Sequence, residues 1–175
     1  MDIFAHALWT GAAYKTVPKE KWSAKKVWLS VFFGVAPDLF SFGILFVSYF
    51  LQKGLKRPEF LTQGPPPMSL IPDYVSVAYN YTHSLIIFSL VFLIALMIYK
   101  KPFWPLAAWG LHILIDIPTH TSAFFPTPFL WPFSSFKVSG ISWGNPWFML
   151  VNYSAIILAY LLIFLRKNKK SATME

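Results

Sequence analysis

Apolar residues gather in four long runs, at positions 27–51, 83–99, 103–117 and 147–165, and basic residues fall between them. A helix that crosses the hydrocarbon of a bilayer needs about 20 apolar residues, with a working range of about 17–25. The third run is short, but it follows the second after only Lys100, Lys101 and Pro102, the spacing of a tight helical hairpin. The opening stretch, residues 2–14, is apolar and too short to span, so it reads as a half-helix within the bilayer. The pattern predicts an all-α fold: one multi-pass membrane domain over residues 1–175, with four transmembrane helices plus a short N-terminal half-helix.

Two long connections separate these runs, at 52–82 and 118–146. The first contains Gly64-Pro65-Pro66-Pro67 and cannot be continuous helix there. The second is rich in Phe, Trp and Pro, as in Phe129-Leu130-Trp131-Pro132-Phe133. Such aromatics favour the membrane–water interface. The segment reads either as an interfacial anchor or as a lid over a site that admits lipid. No internal repeat is evident.

Composition agrees with lipid as the solvent. Of the 175 residues, 56% are apolar and 13% charged, against about a quarter charged in a soluble domain. There is no cysteine, which excludes disulfides and thiolate ligands, so a bound metal would sit on His nitrogen and carboxylate oxygen. The net charge of +8 is carried by Lys and Arg flanking the apolar runs, a pattern of topology determinants, and no nucleic-acid partner is expected. The start lacks the charged segment and cleavage site of a signal peptide and is expected to remain in the mature chain. Basic residues concentrate in the start through Lys26, the Lys100–Lys101 turn and the tail from Arg166; the opposite side has only Lys53, Lys56, Arg57 and Lys137. The positive-inside rule then places both basic termini in the cytoplasm of a cell (inner) membrane, with the two long loops outside.

The candidate chemistry lies within the runs. Asp38 sits in the first, in Gly34-Val35-Ala36-Pro37-Asp38; His112 and Asp116 sit in the third. An Asp at the centre of a membrane helix costs at least about 2.5–3.5 kcal/mol, and no Lys or Arg within these runs compensates it. His112 and Asp116 are four residues apart and share a helix face. Counting from the nearest basic residues at about 1.5 Å per residue, Asp38 lies about 18 Å deep, His112 about 17 Å, Asp116 about 23 Å, His83 about 26 Å and His6 about 14 Å. Five residues scattered in sequence therefore fall in one slab, in the middle to outer part of the bilayer, as ligands of a common metal would. Pro37 is expected to break or kink its helix and to turn Asp38 into a polar interior. Each residue also has a plainer reading. The His112–Asp116 pair would hold helices together, Asp38 would cap a half-helix, His6 would be interfacial, and Asp2 and Asp73 would be end-of-segment charges. The face of His120 is left open by Pro118.

Four motifs carry a resemblance: Asp2-Ile3-Phe4-Ala5-His6, Gly34-Val35-Ala36-Pro37-Asp38, Thr82-His83-Ser84, and His112-Ile113-Leu114-Ile115-Asp116 followed by Thr119-His120. With Trp131-Pro132-Phe133 and Ser142-Trp143-Gly144 they resemble the bacterial membrane-bound metal-dependent hydrolases of the YdjM type, over nearly the whole chain. That family is similar to zinc-dependent phospholipase C and P1-type nuclease. The resemblance implies Asp38, His83, His112 and Asp116 around one ion, most often zinc. It implies a second ion on His6, a bridging Asp116 and the chain's amino terminus. A third ion is not expected, because only His120 is left to hold it.

The implied activity is hydrolysis of a phosphoester in a lipid or lipid-linked substrate, with membrane lipids as surroundings. Asp38, Asp116 or His120 would handle the proton, and Lys137 in the outer loop would meet an anionic head group unless it is an ordinary solvated charge. Rival readings are a metal or proton transporter and a non-catalytic membrane protein with a structural metal.

Overall fold

The computed structural model describes residues 1–17, 23–53 and 67–172; Lys56, Arg57 and Gly64-Pro65-Pro66 lie outside them. Among the described residues there are six α-helices: α1 Ile3–Lys15, α2 Ala24–Lys53, α3 Asp73–Thr82, α4 Leu85–Tyr99, α5 Ala107–Thr119 and α6 Pro146–Ala172. The described residues contain no strand, only an isolated bridge between Thr121 and Phe124.

Local chemistry explains most boundaries. Asp2 caps α1 by accepting the Ala5 N–H at 3.0 Å, and its carboxylate also accepts the Tyr153 hydroxyl of α6 at 2.9 Å. The Asp2 charge is thus an end-of-segment cap. α3 and α4 meet at Thr82-His83-Ser84 and are bent by 55°. Ser84 starts α4 by accepting the N–H groups of Ile86 and Ile87 at 3.1 and 3.2 Å. α5 begins only at Ala107, because Pro102 and Pro105 hold the preceding residues in a 3-10 turn, Trp104–Leu106.

Three expectations change. Among the described residues two helices, Ala24–Gln52 and Pro146–Arg166, are long and apolar enough to cross a membrane, or three spans if the bent α3–α4 pair forms one, rather than the four expected. The run at 103–117 yields only the 13-residue α5, about 20 Å long and too short to cross alone. The connection at 52–82 contains a whole helix, α3. Finally, α2 runs without interruption through Pro37, so the expected break there is absent. A proline is tolerated in such a helix where neighbours satisfy the freed backbone groups. Here the Gly34 carbonyl, beside the Phe33 carbonyl that loses its donor to Pro37, accepts a ring N–H from His112 at 2.8 Å.

The distribution of polarity is inverted relative to a soluble protein. Leu90, Leu93, Ile94, Met97 and Ile98 of α4 are exposed, as are Leu158, Leu161 and Phe164 of α6, while His6, Thr10, Ser30, Ser41, His83, His112 and Asp116 are buried. No residue of α4 is buried. Helices apolar on their outward faces and polar inside suit a lipid surround.

Close packing depends on small residues, as expected where dispersion replaces the hydrophobic effect between helices. Gly34 of α2 lies directly against Thr10 of α1: a β-carbon there would overlap the Thr10 hydroxyl and come within 3.1 Å of its Cβ. Gly110 meets the Phe88 ring in the same way, at 2.7 Å. Gly34→Ala is therefore expected to destabilise the fold by about 1–3 kcal/mol, and Thr10→Ala in the same chain to restore part of the loss. Thermal melts of the two single variants and the double variant, in one detergent, provide the check; purely additive effects would mean that the two residues do not touch.

Candidate metal centre

Three parts of the chain deliver four polar side chains to one point. Asp38 comes from the middle of α2, His83 from the α3–α4 break, and His112 and Asp116 from one face of α5. His83, His112 and Asp116 are fully buried, and the Asp38 side chain is 14% exposed. One ligand atom from each residue lies within 4.8 Å of every other. His112 Nε2 is 3.0 Å from His83 Nε2 and 3.2 Å from Asp116 Oδ2. His83 Nε2 is 3.4 Å from Asp116 Oδ2 and 3.5 Å from Asp38 Oδ1. His112 Nε2 and Asp38 Oδ1 are 3.8 Å apart. A tetrahedral ion with bonds of about 2.1 Å separates its ligand atoms by about 3.4 Å, and the five spacings scatter around that value.

Hydrogen bonding on the far side of each ring fixes what faces the centre. His112 Nδ1 meets the Gly34 carbonyl at 2.8 Å. A carbonyl only accepts, so Nδ1 carries the proton and Nε2 presents its lone pair inward. His83 Nδ1 meets Thr82 Oγ1 at 2.9 Å. That hydroxyl is 2.9 Å from the Ala78 carbonyl and 2.7 Å from Ser41 Oγ, which itself donates to the Pro37 carbonyl at 2.8 Å. With the Thr82 proton directed into that chain, His83 Nδ1 donates to Thr82, and His83 Nε2 also faces inward unprotonated. Two lone pairs and two carboxylate oxygens therefore converge. Asp116 Oδ2 is buried and has no hydrogen-bond partner among the described residues. Such a set of acceptors without a donor is disfavoured by burial and suits a cation.

The rings are also held by stacking. Tyr79, one helical turn before His83, stacks on it at 3.8 Å between centroids, and its hydroxyl donates to the Phe125 carbonyl at 2.8 Å. His6 stacks on His112 at 3.7 Å.

Asp116 faces a second group through its other oxygen. His6 Nε2 lies 2.9 Å from Asp116 Oδ1, His120 Nε2 lies 3.5 Å from it, and the Met1 amino group bonds to it. His120 Nε2 is 3.0 Å from that amino group, so Pro118 does not turn His120 off the Asp116 face. The outer ring nitrogens of His6 and His120 are buried without partners among the described residues. Of the residues singled out from sequence, His6, Asp38, His83, His112, Asp116 and His120 are thus brought together. Lys137 is not: it is exposed on the 118–146 segment and, among the described residues, makes no bond to the cluster. Tyr79 and Ser41 escaped the sequence reading, and Thr82 entered it only within the Thr82-His83-Ser84 motif, without a role. Tyr79 and His83 share a face at four-residue spacing, and that was the available signal.

Comparison with protein-family models, with curated proteins and with solved structures finds no match.

The arrangement predicts that the purified protein carries a divalent ion which Asp116→Ala loses, measured by elemental analysis. Thr82→Val removes the acceptor that orients His83 and is expected to weaken metal affinity about 10–100-fold without abolishing it, measured by competition with a chromogenic chelator. Unchanged affinity in Thr82→Val would contradict the assigned orientation of His83.

Proposed function

We propose that the protein is a membrane metallohydrolase that cleaves a phosphoester in a lipid or lipid-linked substrate. The observation that carries this reading is the convergence of His83 and His112 Nε2 with Asp38 and Asp116 carboxylate oxygens, acceptors only, at spacings that suit a tetrahedral divalent ion. An all-nitrogen-and-oxygen set of this kind suits zinc. The resemblance of the Asp-, His- and His-x-x-x-Asp-bearing motifs to the YdjM-type hydrolases supports hydrolysis over mere binding. A divalent ion in such a site polarises a phosphoester and lowers the pKa of water near it.

What the chain's own residues would do follows from their positions. Asp116 would serve two ions, with Oδ2 toward His83 and His112 and Oδ1 toward His6. His120, beside Asp116 Oδ1 with a buried Nδ1 that has no partner among the described residues, and Asp38, the most exposed of the four carboxylate and imidazole groups, would receive and return the proton. Water oxygen bonds to phosphorus, the bond to the alcohol breaks, and the alcohol leaves with a proton. Access at Asp38 supports a site open to water over a closed structural one.

The basic ends support the proposed orientation. Lys26 and Lys101 border one cleft, and Lys15 lies 4.9 Å from the centre of the Tyr160 ring. All three lie away from the cluster, toward the proposed cytoplasmic side of a cell membrane. The exposed Phe133, Phe136 and Ile141 of the 118–146 segment would then rest at the outer surface as an anchor. The segment is fastened by Gly140 N–H to the His120 carbonyl at 2.7 Å and Ile141 N–H to the Pro118 carbonyl at 2.9 Å, which favours an anchor over a moving lid.

The test is turnover of a chain-less phosphodiester and of diacyl phospholipids by the metal-loaded protein, by Asp116→Ala and by chelated wild type. Hydrolysis is expected in wild type alone, restored by added zinc after chelation. Bound metal with no turnover on any phosphoester would favour the transport or structural readings, and absence of metal would remove the site.

A further inference from the structure

α5 and α6 both pack on α1 and leave a groove between them of about 430 Å³. Its walls include Trp9 of α1, Leu111, Leu114 and Ile115 of α5, and Phe148 and Asn152 of α6. The lining is mainly apolar, and the volume falls within the usual range of small-ligand sites, about 300–1,000 Å³. The groove extends from Met1, Pro118 and Thr119 at one end to Ala13 and Leu111 at the other. The first end adjoins the cluster: the Met1 amino group bonds Asp116, and Thr119 precedes His120. α6 runs parallel to α1, since Tyr153 reaches Asp2 and Tyr160 reaches the Leu8 carbonyl. The groove therefore follows the helix axes from the cluster toward the basic end.

Between the Met1–Thr119 end and Ala13, the amide of Asn152 interrupts this apolar wall. Asn152 is 9% exposed. The Trp9 indole N–H, which only donates, meets Asn152 Oδ1 at 2.9 Å, and this fixes the orientation of the amide. The Nδ2 donor is left buried and without an acceptor among the described residues. In hydrocarbon no water supplies one, so an unpaired donor there is strongly disfavoured unless a ligand answers it.

We propose that this groove holds an acyl chain of an ester-linked glycerophospholipid, with the ester carbonyl accepting from Asn152 Nδ2 and the head group held at the Met1–Thr119 end beside His120. The occupant is specified by three features together. The groove is apolar along its length and flanked by α6, a helix fit to cross the bilayer. A hydrogen-bond donor with no acceptor among the described residues, Asn152 Nδ2, lies in its wall near the cluster, where an ester would sit below a phosphate. The phosphoester chemistry proposed for the cluster lies at its mouth. The inference deepens the hydrolase reading and rests on it for the identity of the head-group site, while the groove itself is tested by binding alone.

The experiment uses the whole protein in nanodiscs containing a phosphatidylcholine with a photoactivatable diazirine in one acyl chain. Cross-links are mapped by mass spectrometry in wild type, in Leu114→Trp, which fills the groove from an exposed position, and in Asn152→Asp, which keeps the acceptor for Trp9 but removes the donor. Cross-links are expected to concentrate on residues 107–119 and 146–153 in wild type and to fall in both variants. An ether-linked probe is expected to label wild type less than the ester-linked one, and the two probes to become equal in Asn152→Asp. In parallel, kcat/KM of Leu114→Trp on the diacyl lipid is expected to fall at least about 10-fold more than on a chain-less phosphodiester. Labelling spread evenly over the exposed faces of α2, α4 and α6, or cross-links joining two copies of the chain through the groove, would overturn the proposal. Groove labelling without turnover of any phosphoester would uphold the groove and remove the hydrolase reading; turnover of lipid with even labelling would do the reverse.

Discussion

The burial of Asp116 is the constraint around which the rest is arranged. A fully enclosed carboxylate in an apolar helix bundle demands compensation on both oxygens, and α5 contributes no cation. On one oxygen the compensation comes from His6 and the Met1 amino group; the other faces the lone pairs of two imidazoles and has no donor among the described residues, the place a cation would fill. Each ring at this centre requires its own support. His112 needs the Gly34 carbonyl, His83 needs Thr82, and both rings need a flat partner, His6 or Tyr79. The conformations of four helices are thereby tied to one side chain.

This dependence explains the small residues. Gly34 lets Thr10 lie against α2 because it has no side chain, and the carbonyl of the same residue receives the His112 ring. One position thus admits α1 and α5 to α2 together, and α1 and α5 carry His6 and Asp116. Packing and chemistry are determined at the same residue, so their effects on stability and on ion affinity will not separate cleanly by mutation at Gly34.

Much of the cluster was legible because helical spacing and distance from basic residues are simple geometry. His112 and Asp116 share a face in any α-helix, and counting inward from Lys15, Lys26, Lys100 and Lys101 put five residues at a common depth. The number of spans was less legible. Hydrophobicity alone does not reveal that Pro102 and Pro105 delay α5 until Ala107, or that the chain bends at His83. Residues 73–82 mix Tyr, Asn and Ser with Val and Ala, and a short helix of that kind gives too weak a pattern beside a proline-rich stretch. The expected break at Pro37 failed for the converse reason: the missing donor is local, but the acceptance of a His112 proton by the adjacent turn is tertiary. Stacking partners and hydroxyl relays such as Ser41–Thr82 likewise exist only once separate helices meet.

The α3–α4 break is braced from outside. The Leu85 N–H donates to the Phe129 carbonyl at 3.0 Å, and the Ser84 hydroxyl donates to the Trp131 carbonyl at 2.5 Å. Both acceptors are main-chain atoms of the aromatic segment whose Phe133 side chain projects outward. His83 is the residue immediately before this brace. Its position is consequently tied by neighbouring main-chain bonds to the aromatic segment. In the orientation proposed above, the depth at which those aromatics settle in a given lipid mixture would be a mechanical input to the His83 ring, so that membrane thickness and head-group packing would act on the cluster as tension acts on a lever.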